Sequence, residues 1–200
     1  LSGLAARYLG VNFVHNRAKK GLIITVSGPH GTGKSTYAKA LAEALGLRYV
    51  CAGELFRELA KERNLSLEAF SSLAAKDPAI DKMIDERTKA ETKKGGLVID
   101  AQLGAWMVNG LADVKILMLA PDEVRFKRIA DRDGKTLDSA RKETVAREEI
   151  QKERYKKYYG VNVDDLSVYD LKIDTSLYSV EQTKSLVIAE VRRLLASKRT

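Results

Sequence analysis

The chain has one cysteine, Cys51, and two histidines, His15 and His30, in 200 residues. A disulfide framework and a multi-cysteine metal site are excluded, and a lone cysteine fits a reducing compartment, so a cytoplasmic location is the expectation. The two histidines lie too far apart in sequence to argue for a metal site. No apolar run approaches the roughly 20 residues needed to cross a bilayer, and the best, Val114 to Ala120, stops at Pro121. No membrane partner is expected. Aromatics amount to only 6%, whereas an RNA-binding surface usually interleaves them with its basic residues. The one stretch that does so sets Tyr155, Tyr158 and Tyr159 among Lys152, Arg154, Lys156 and Lys157. A solvated helix face has the same composition, so nucleic acid is not the expected partner.

What remains is an ordinary globular composition, 44% hydrophobic with a net charge of +8. Its length suits one domain with a sizeable core, and a monomer is the default. A modest, dispersed basic excess suits a polyanionic ligand. Half of the excess lies in residues 1–21, where Arg7, Arg17, Lys19 and Lys20 occur with no acid. Such a segment can be read as a transit peptide or a membrane-surface helix. A plain basic N-terminal extension ahead of a domain over 22–200 is the simpler reading.

Leu22 to Ser27 is a short β-branched apolar run, which predicts a strand buried on both faces. Tyr37, Ala38, Leu41, Ala42 and Leu45 then recur at helical spacing up to Gly46, a natural C-cap. Further strands are predicted at 48–51, 97–100, 114–120 and 169–174. Helices are predicted at 54–63, from Ser66 to about Lys76, from Asp77-Pro78 to near Gly95, from Pro121 to Gly134, from Thr136 to about Tyr159, and over 180–198. Ser66, Asp77 and Thr136 serve as N-caps, and Ser179 with Gln182 forms a capping box. Five short apolar strands alternating with helices predict an α/β fold, a five-stranded parallel sheet covered on both faces in three layers, whose ligands bind beyond the carboxyl ends of the strands.

Gly28-Pro29-His30-Gly31-Thr32-Gly33-Lys34-Ser35 matches the phosphate-binding loop in full, a match expected by chance roughly one time in a hundred in a chain this long. It follows a buried strand and opens a helix, so its N–H groups and the helix dipole face an anion. Lys34 is placed to bridge β- and γ-phosphates, Ser35 to ligate Mg²⁺, and Thr36 to reach the α-phosphate. Asp100 ends the third strand and is placed to orient the Mg²⁺ shell through water; capping of the next turn is its other reading. Arg57 can hold a second anion bidentately. Arg128 and Arg132 share one helix face, as do Arg147 and Arg154 on the next helix, so four guanidinium groups are expected to converge where a phosphoryl transition state spreads its charge. Solvated i,i+4 pairing with Asp131, Glu148 and Glu149 is the alternative. Cys51 and Trp106 are read as core residues.

With these motifs in hand, the chain resembles the nucleoside monophosphate kinases, and most closely the archaeal-type cytidylate kinases, over about residues 22 to 196. The likeness rests on GPHGTGKST, AGELFRELAK, LVIDAQLGAWM, APDEVRFKRIADRDGK and AREEIQKERYKKYYGVNVDDLSVYDLKIDTS. The resemblance implies a P-loop core with a helical monophosphate-binding segment near 52–94 and a lid near 128–160. It implies ATP as donor, CMP or dCMP as acceptor and Mg²⁺ as cofactor. It further implies acceptor binding by Gly53, Arg57, Asp100 and Gln102, ATP contacts from Arg128 and Arg132 at the lid hinge, and lid arginines Arg147 and Arg154 at the transferring group. Two positions depart from the family pattern. Lys34-Ser35-Thr36 stands where many members have Thr-Thr-Thr, and Ala101-Gln102-Leu103-Gly104-Ala105-Trp106 stands where Gly-Arg-Leu-Ala-Gly-Trp is common, so Gln102 removes a charge from the acceptor side. An adenylate or other small-molecule kinase, and an RNA-binding P-loop NTPase, stay open as alternatives.

Overall fold

A computed structural model describes residues 21–108 and 110–198. The expectations for residues 1–20, including His15, fall outside them. The strands are β1 (Ile23–Ser27), β2 (Arg48–Cys51), β3 (Leu97–Asp100), β4 (Val114–Leu119) and β5 (Leu171–Asp174). They form one parallel sheet in the order β2-β3-β1-β4-β5. All five residues of β1 are buried, as its central place requires, and the same enclosure explains its uninterrupted apolar run.

The helices are α1 (Lys34–Leu45), α2 (Ala52–Glu62), α3 (Leu67–Lys76), α4 (Pro78–Thr92), α5 (Gly104–Met107), α6 (Asp122–Asp133), α7 (Leu137–Tyr159) and α8 (Val180–Ser197). Ile24 and Val26 of β1 face Leu41 of α1 and Val187 and Val191 of α8 in the main core. Ile23 faces the opposite side with Leu97, Ile99 and Val108. Helices α2 to α4 close on a core of their own, with Leu59, Phe70, Ile80 and Ile84 buried together and the Phe56 ring 4.8 Å from that of Phe70.

The predicted caps are present. Ser66, Asp77 and Thr136 accept from Ala69, Ala79 and Ser139, Gly46 adopts the left-handed C-cap, and Ser179 with Gln182 completes the capping box. Most boundaries move by three residues or fewer, and one short helix, α5, was not expected. β5 starts at Leu171 rather than Tyr169, because a 3-10 turn at Leu166–Val168 precedes it and Tyr169 packs sideways with Ala105 and Leu117. The four-residue α5 is too short to leave a periodic signal in sequence.

Candidate active site

The loop after β1 turns through three glycines with positive φ, Gly28 (144°), Gly31 (80°) and Gly33 (81°). Two of them are also confined sterically: a Cβ on Gly28 would stand 2.2 Å from the Met118 carbonyl oxygen, and one on Gly31 2.6 Å from that of Arg125. No side chain fits either position. Gly33 serves as N-cap of α1 and offers no side chain to the first helical N–H groups, so these and the positive end of the helix face the loop. Thr32 is buried and donates to the Pro29 carbonyl at 2.9 Å. Lys34 Nζ donates to the same carbonyl at 2.9 Å. Burial draws the Lys34 pKa down to about 8, against the opposing pull of Asp100 and Glu148. A desolvated ammonium resting on a carbonyl suits an anion.

Asp100 ends β3 and is only 3% exposed. Its Oδ2 accepts from Ser35 Oγ at 2.5 Å and from the Tyr49 hydroxyl at 2.9 Å, with Cys51 Sγ at 3.6 Å. Asp100 raises the pKa values of Tyr49 and Cys51, after burial. Cys51 is therefore not a core residue, as expected from sequence, but a half-buried member of the site, because it pairs in register with Asp100 across β2 and β3. Ser35 and Asp100 offer hard oxygen donors of the kind Mg²⁺ takes alongside water and phosphate. Among the described residues no group of three His, Cys, Asp or Glu side chains is arranged to hold a metal. The donor set at Ser35 and Asp100 thus fits an ion that brings phosphate oxygens as its further ligands.

The long helix α7 crosses above this loop. Glu148 accepts from the His30 backbone N–H at 2.9 Å and from the two Arg125 nitrogens at 2.8 and 3.2 Å. Arg125 is 5% exposed and also donates to the His30 carbonyl at 2.8 Å and to Asp122 at 2.6 Å. The His30 ring lies 2.9 Å from Gln151 Oε1 and 3.3 Å from the Gln102 amide nitrogen. Burial, with Arg147 and Lys34 nearby, lowers the His30 pKa to about 3 and keeps its ring neutral. Tyr155 donates to Gln102 Oε1 at 3.0 Å.

Sequence reasoning passed over Arg125 and Glu148, which look like one more surface pair. The available signal was spacing, because Arg125 precedes Ile129 by one turn and so shares the apolar face of α6.

The other expected residues distribute as follows. Arg128 is held by Thr175, donating to its hydroxyl and its carbonyl at 2.8 Å each, and Thr175 in turn donates to the Thr32 carbonyl at 3.1 Å. Arg132 is exposed and paired with Asp133 at 2.7 Å. Arg147 carries no ion pair among the described residues; desolvation and then Arg132 and Arg154 lower its pKa, partly offset by Tyr155 and Glu148. Arg154 reaches Asp81 of α4. Arg132 and Arg154 thus both act on Arg147, while Arg128 is engaged with Thr175. Arg57 is exposed on α2, and a Cβ on Gly53 would stand 3.6 Å from its Nη1, so these two expected acceptor residues adjoin. Ser35 and Thr36 are exposed on the first turn of α1.

Trp106, expected in the core, is half-buried. Its ring meets Tyr169 edge-on at 5.6 Å, and it lines a cleft of about 360 Å³ with Pro29, Gln102, Phe126, Glu148 and Tyr155. The tyrosine-rich stretch is not a stacking platform. Tyr155 holds Gln102, Tyr158 reaches the Ala75 carbonyl at 3.5 Å, and Tyr159 bonds Asp85. Among the described residues no helix is long and apolar enough to cross a membrane.

Comparison with known proteins follows the same outline. A family model described as the cytidylate kinase-like family matches residues 23–177. The cytidylate kinase of Staphylothermus marinus is 48% identical over 174 residues, covering 87% of this chain and 98% of the relative. That of Aeropyrum pernix is 51% identical over 168 residues, covering 84% and 98%. Among solved structures, an uncharacterized protein from Eubacterium ventriosum superposes with a TM-score of 0.63 at 20% identity, covering 86% of this chain and 98% of that one. A shikimate kinase from Acinetobacter baumannii, in complex with shikimate, gives 0.57 at 15% identity over 92% and 99%. At those identities the structural likeness concerns the fold alone.

Proposed function

The chain belongs to the cytidylate kinase-like family, and from that premise we propose that it transfers the γ-phosphoryl group of ATP to cytidine monophosphate. One observation carries the reading. A single helix, α7, lies on the phosphate loop through Glu148 and Gln151 and on the segment α2 to α4 through Arg154 and Tyr159. A triphosphate site alone would serve any NTPase. A helix clasping both the loop and a second helical unit suits transfer between two bound nucleotides.

In this reading the N–H groups from Gly31 to Thr36 cradle the ATP phosphates and Lys34 bridges the β- and γ-phosphates. Ser35 and Asp100 would hold Mg²⁺, which would neutralise charge on those phosphates. Arg57 beside Gly53 holds the acceptor phosphate, with Gln102 nearby. Arg128, fixed by Thr175 to the loop, and Arg132 flank ATP at the base of the lid. Arg147, with no carboxylate ion pair among the described residues, is available for the charge that develops on the transferring group. The acceptor atom is a phosphate oxygen already ionised near neutral pH, so no general base is required, consistent with His30 held neutral by burial and by Arg147 and Lys34. Catalysis then rests on in-line alignment and on exclusion of water by α7, acting as the lid.

The test is a panel of CMP, dCMP, UMP, AMP and GMP with ATP, reading diphosphate product, and in parallel ATP hydrolysis with and without RNA. CMP as the best acceptor is the expected result. RNA-stimulated hydrolysis with no CMP turnover would overturn the proposal.

A further inference from the structure

The lid and the acceptor segment meet at two charged side chains that are nearly shut from solvent. Arg154 Nε lies 2.9 Å from Asp81 Oδ2, with the side chains 12% and 9% exposed. Yet neither atom makes an aligned hydrogen bond, a rare condition for buried polar groups. Burial pushes the Asp81 pKa up, and Arg154 opposes it. One turn further along α4, Asp85 has a hydrogen bond from Tyr159; Asp81 Oδ2 has only the misaligned Arg154 Nε beside it. Charges desolvated to this degree are tolerated only when further hydrogen bonds complete them.

Their place in the molecule indicates where such bonds come from. Arg154 adjoins Tyr155, whose hydroxyl holds Gln102 at 3.0 Å, and the Gln102 amide lies 3.3 Å from the His30 ring in the phosphate loop. The line from Lys34 through His30, Gln102 and Tyr155 to Asp81 runs from the phosphate site into the acceptor segment. A nucleoside monophosphate with its phosphate at the loop end directs its base toward the other end.

We propose that Asp81 and Arg154 read the base of the acceptor and select cytosine over uracil. The pairing edge of cytosine offers an amino donor at N4 beside acceptors at N3 and O2. The Asp81 carboxylate accepts from N4, and the Arg154 guanidinium donates to N3, which supplies the aligned bonds that Asp81 Oδ2 and Arg154 Nε lack. Uracil sets a carbonyl oxygen against the carboxylate and an N–H against the guanidinium, a mismatch at both positions. This assignment rests on the function proposed above, and it gives Arg154 a role apart from the one proposed for Arg147.

The experiment compares wild type, Asp81→Asn and the double variant Asp81→Asn/Arg154→Gln in kcat/KM for CMP and for UMP, with the KM for ATP as a control on fold and donor site. In wild type CMP is preferred. Asp81→Asn should lower kcat/KM for CMP by about 10- to 100-fold, the scale of one charge-assisted hydrogen bond. UMP should be unaffected or improved, and the KM for ATP unchanged. The double variant removes both buried charges together, so it folds even where the single one leaves Arg154 unpaired, and its CMP-to-UMP ratio should collapse as well. A ratio retained in both variants, or equal losses on both substrates, overturns the assignment and leaves the pair as a clasp between lid and segment. A wild type inactive on every pyrimidine monophosphate overturns the functional reading itself, and does so before any variant is examined.

Discussion

Lys34 rests on a carbonyl oxygen, and burial draws its pKa from 10.5 to about 8. Because the folded value lies below the unfolded one, the charged amine costs stability below about pH 8, and that cost fades as pH rises through 8 and vanishes above 10.5. ATP phosphates reverse the effect by favouring the charged form. We expect kcat/KM for ATP to fall above about pH 8 as the free enzyme loses this proton, and Lys34→Arg to abolish that limb of the profile. A pH profile flat to 9.5 would contradict the assignment. Lys34→Ala or Arg147→Ala should each lower kcat by roughly 10²-fold or more with no fall in the thermal midpoint, since each removes a desolvated charge; near-wild-type turnover in both would sink the mechanism. At this scale the sequence was legible where backbone geometry leaves no choice. Gly28, Gly31 and Gly33 sit at positive φ against neighbouring backbone or ring atoms, and the motif spacing announces that conformation. The spacing of Arg125 from Ile129 hinted at its burial, but its partner Glu148 was not legible, since that contact depends on a helix 23 positions further on.

At the scale of elements, α7 is terminated where its caps dictate, at Thr136 and Gly160, but its stability in place depends on what it touches. Arg125 is paired with both Asp122 and Glu148, and the Asp122 contact is the shorter, 2.6 against 2.8 Å. Exposure reverses that order of importance, because the Asp122 side chain is 69% exposed and that of Glu148 26%, and exposed pairs contribute little. Glu148→Gln should therefore cost about 1 to 3 kcal/mol in urea unfolding, and Asp122→Asn less than about 1 kcal/mol. Equal shifts in the two midpoints would show that burial does not rank these contacts. The helix boundaries and caps could be read from local sequence because capping is a contact over three residues. The partners of α7 could not, because its polar faces carry acids, bases and tyrosines that read equally well as solvated pairs.

On the scale of the whole molecule, the sheet with α1 and α8 holds one core and α2 to α4 hold another, with the site at the carboxyl ends of β1 and β3 between them. Damage to the smaller core should be felt on one substrate only. Phe70, fully buried in it, is far in the chain from every loop residue, and Phe70→Ala should raise the KM for CMP while leaving ATP affinity unchanged, the cavity loosening the acceptor segment by a few kcal/mol. Equal losses for both nucleotides would mean that the two cores act as one. By itself the sequence determined the parallel sheet, the loop, the caps and the buried face of α1, since each depends on periodicity or on φ/ψ demands within a few residues. Tertiary structure alone decided that Cys51 lies on Asp100, that Trp106 lines a cleft, that Arg128 is fixed by Thr175, and that Arg154 meets Asp81 across 73 positions of chain. Contacts between distant charged side chains are chosen by burial and register, which no local pattern encodes, and they separate a general phosphate-binding loop from a site that holds two nucleotides.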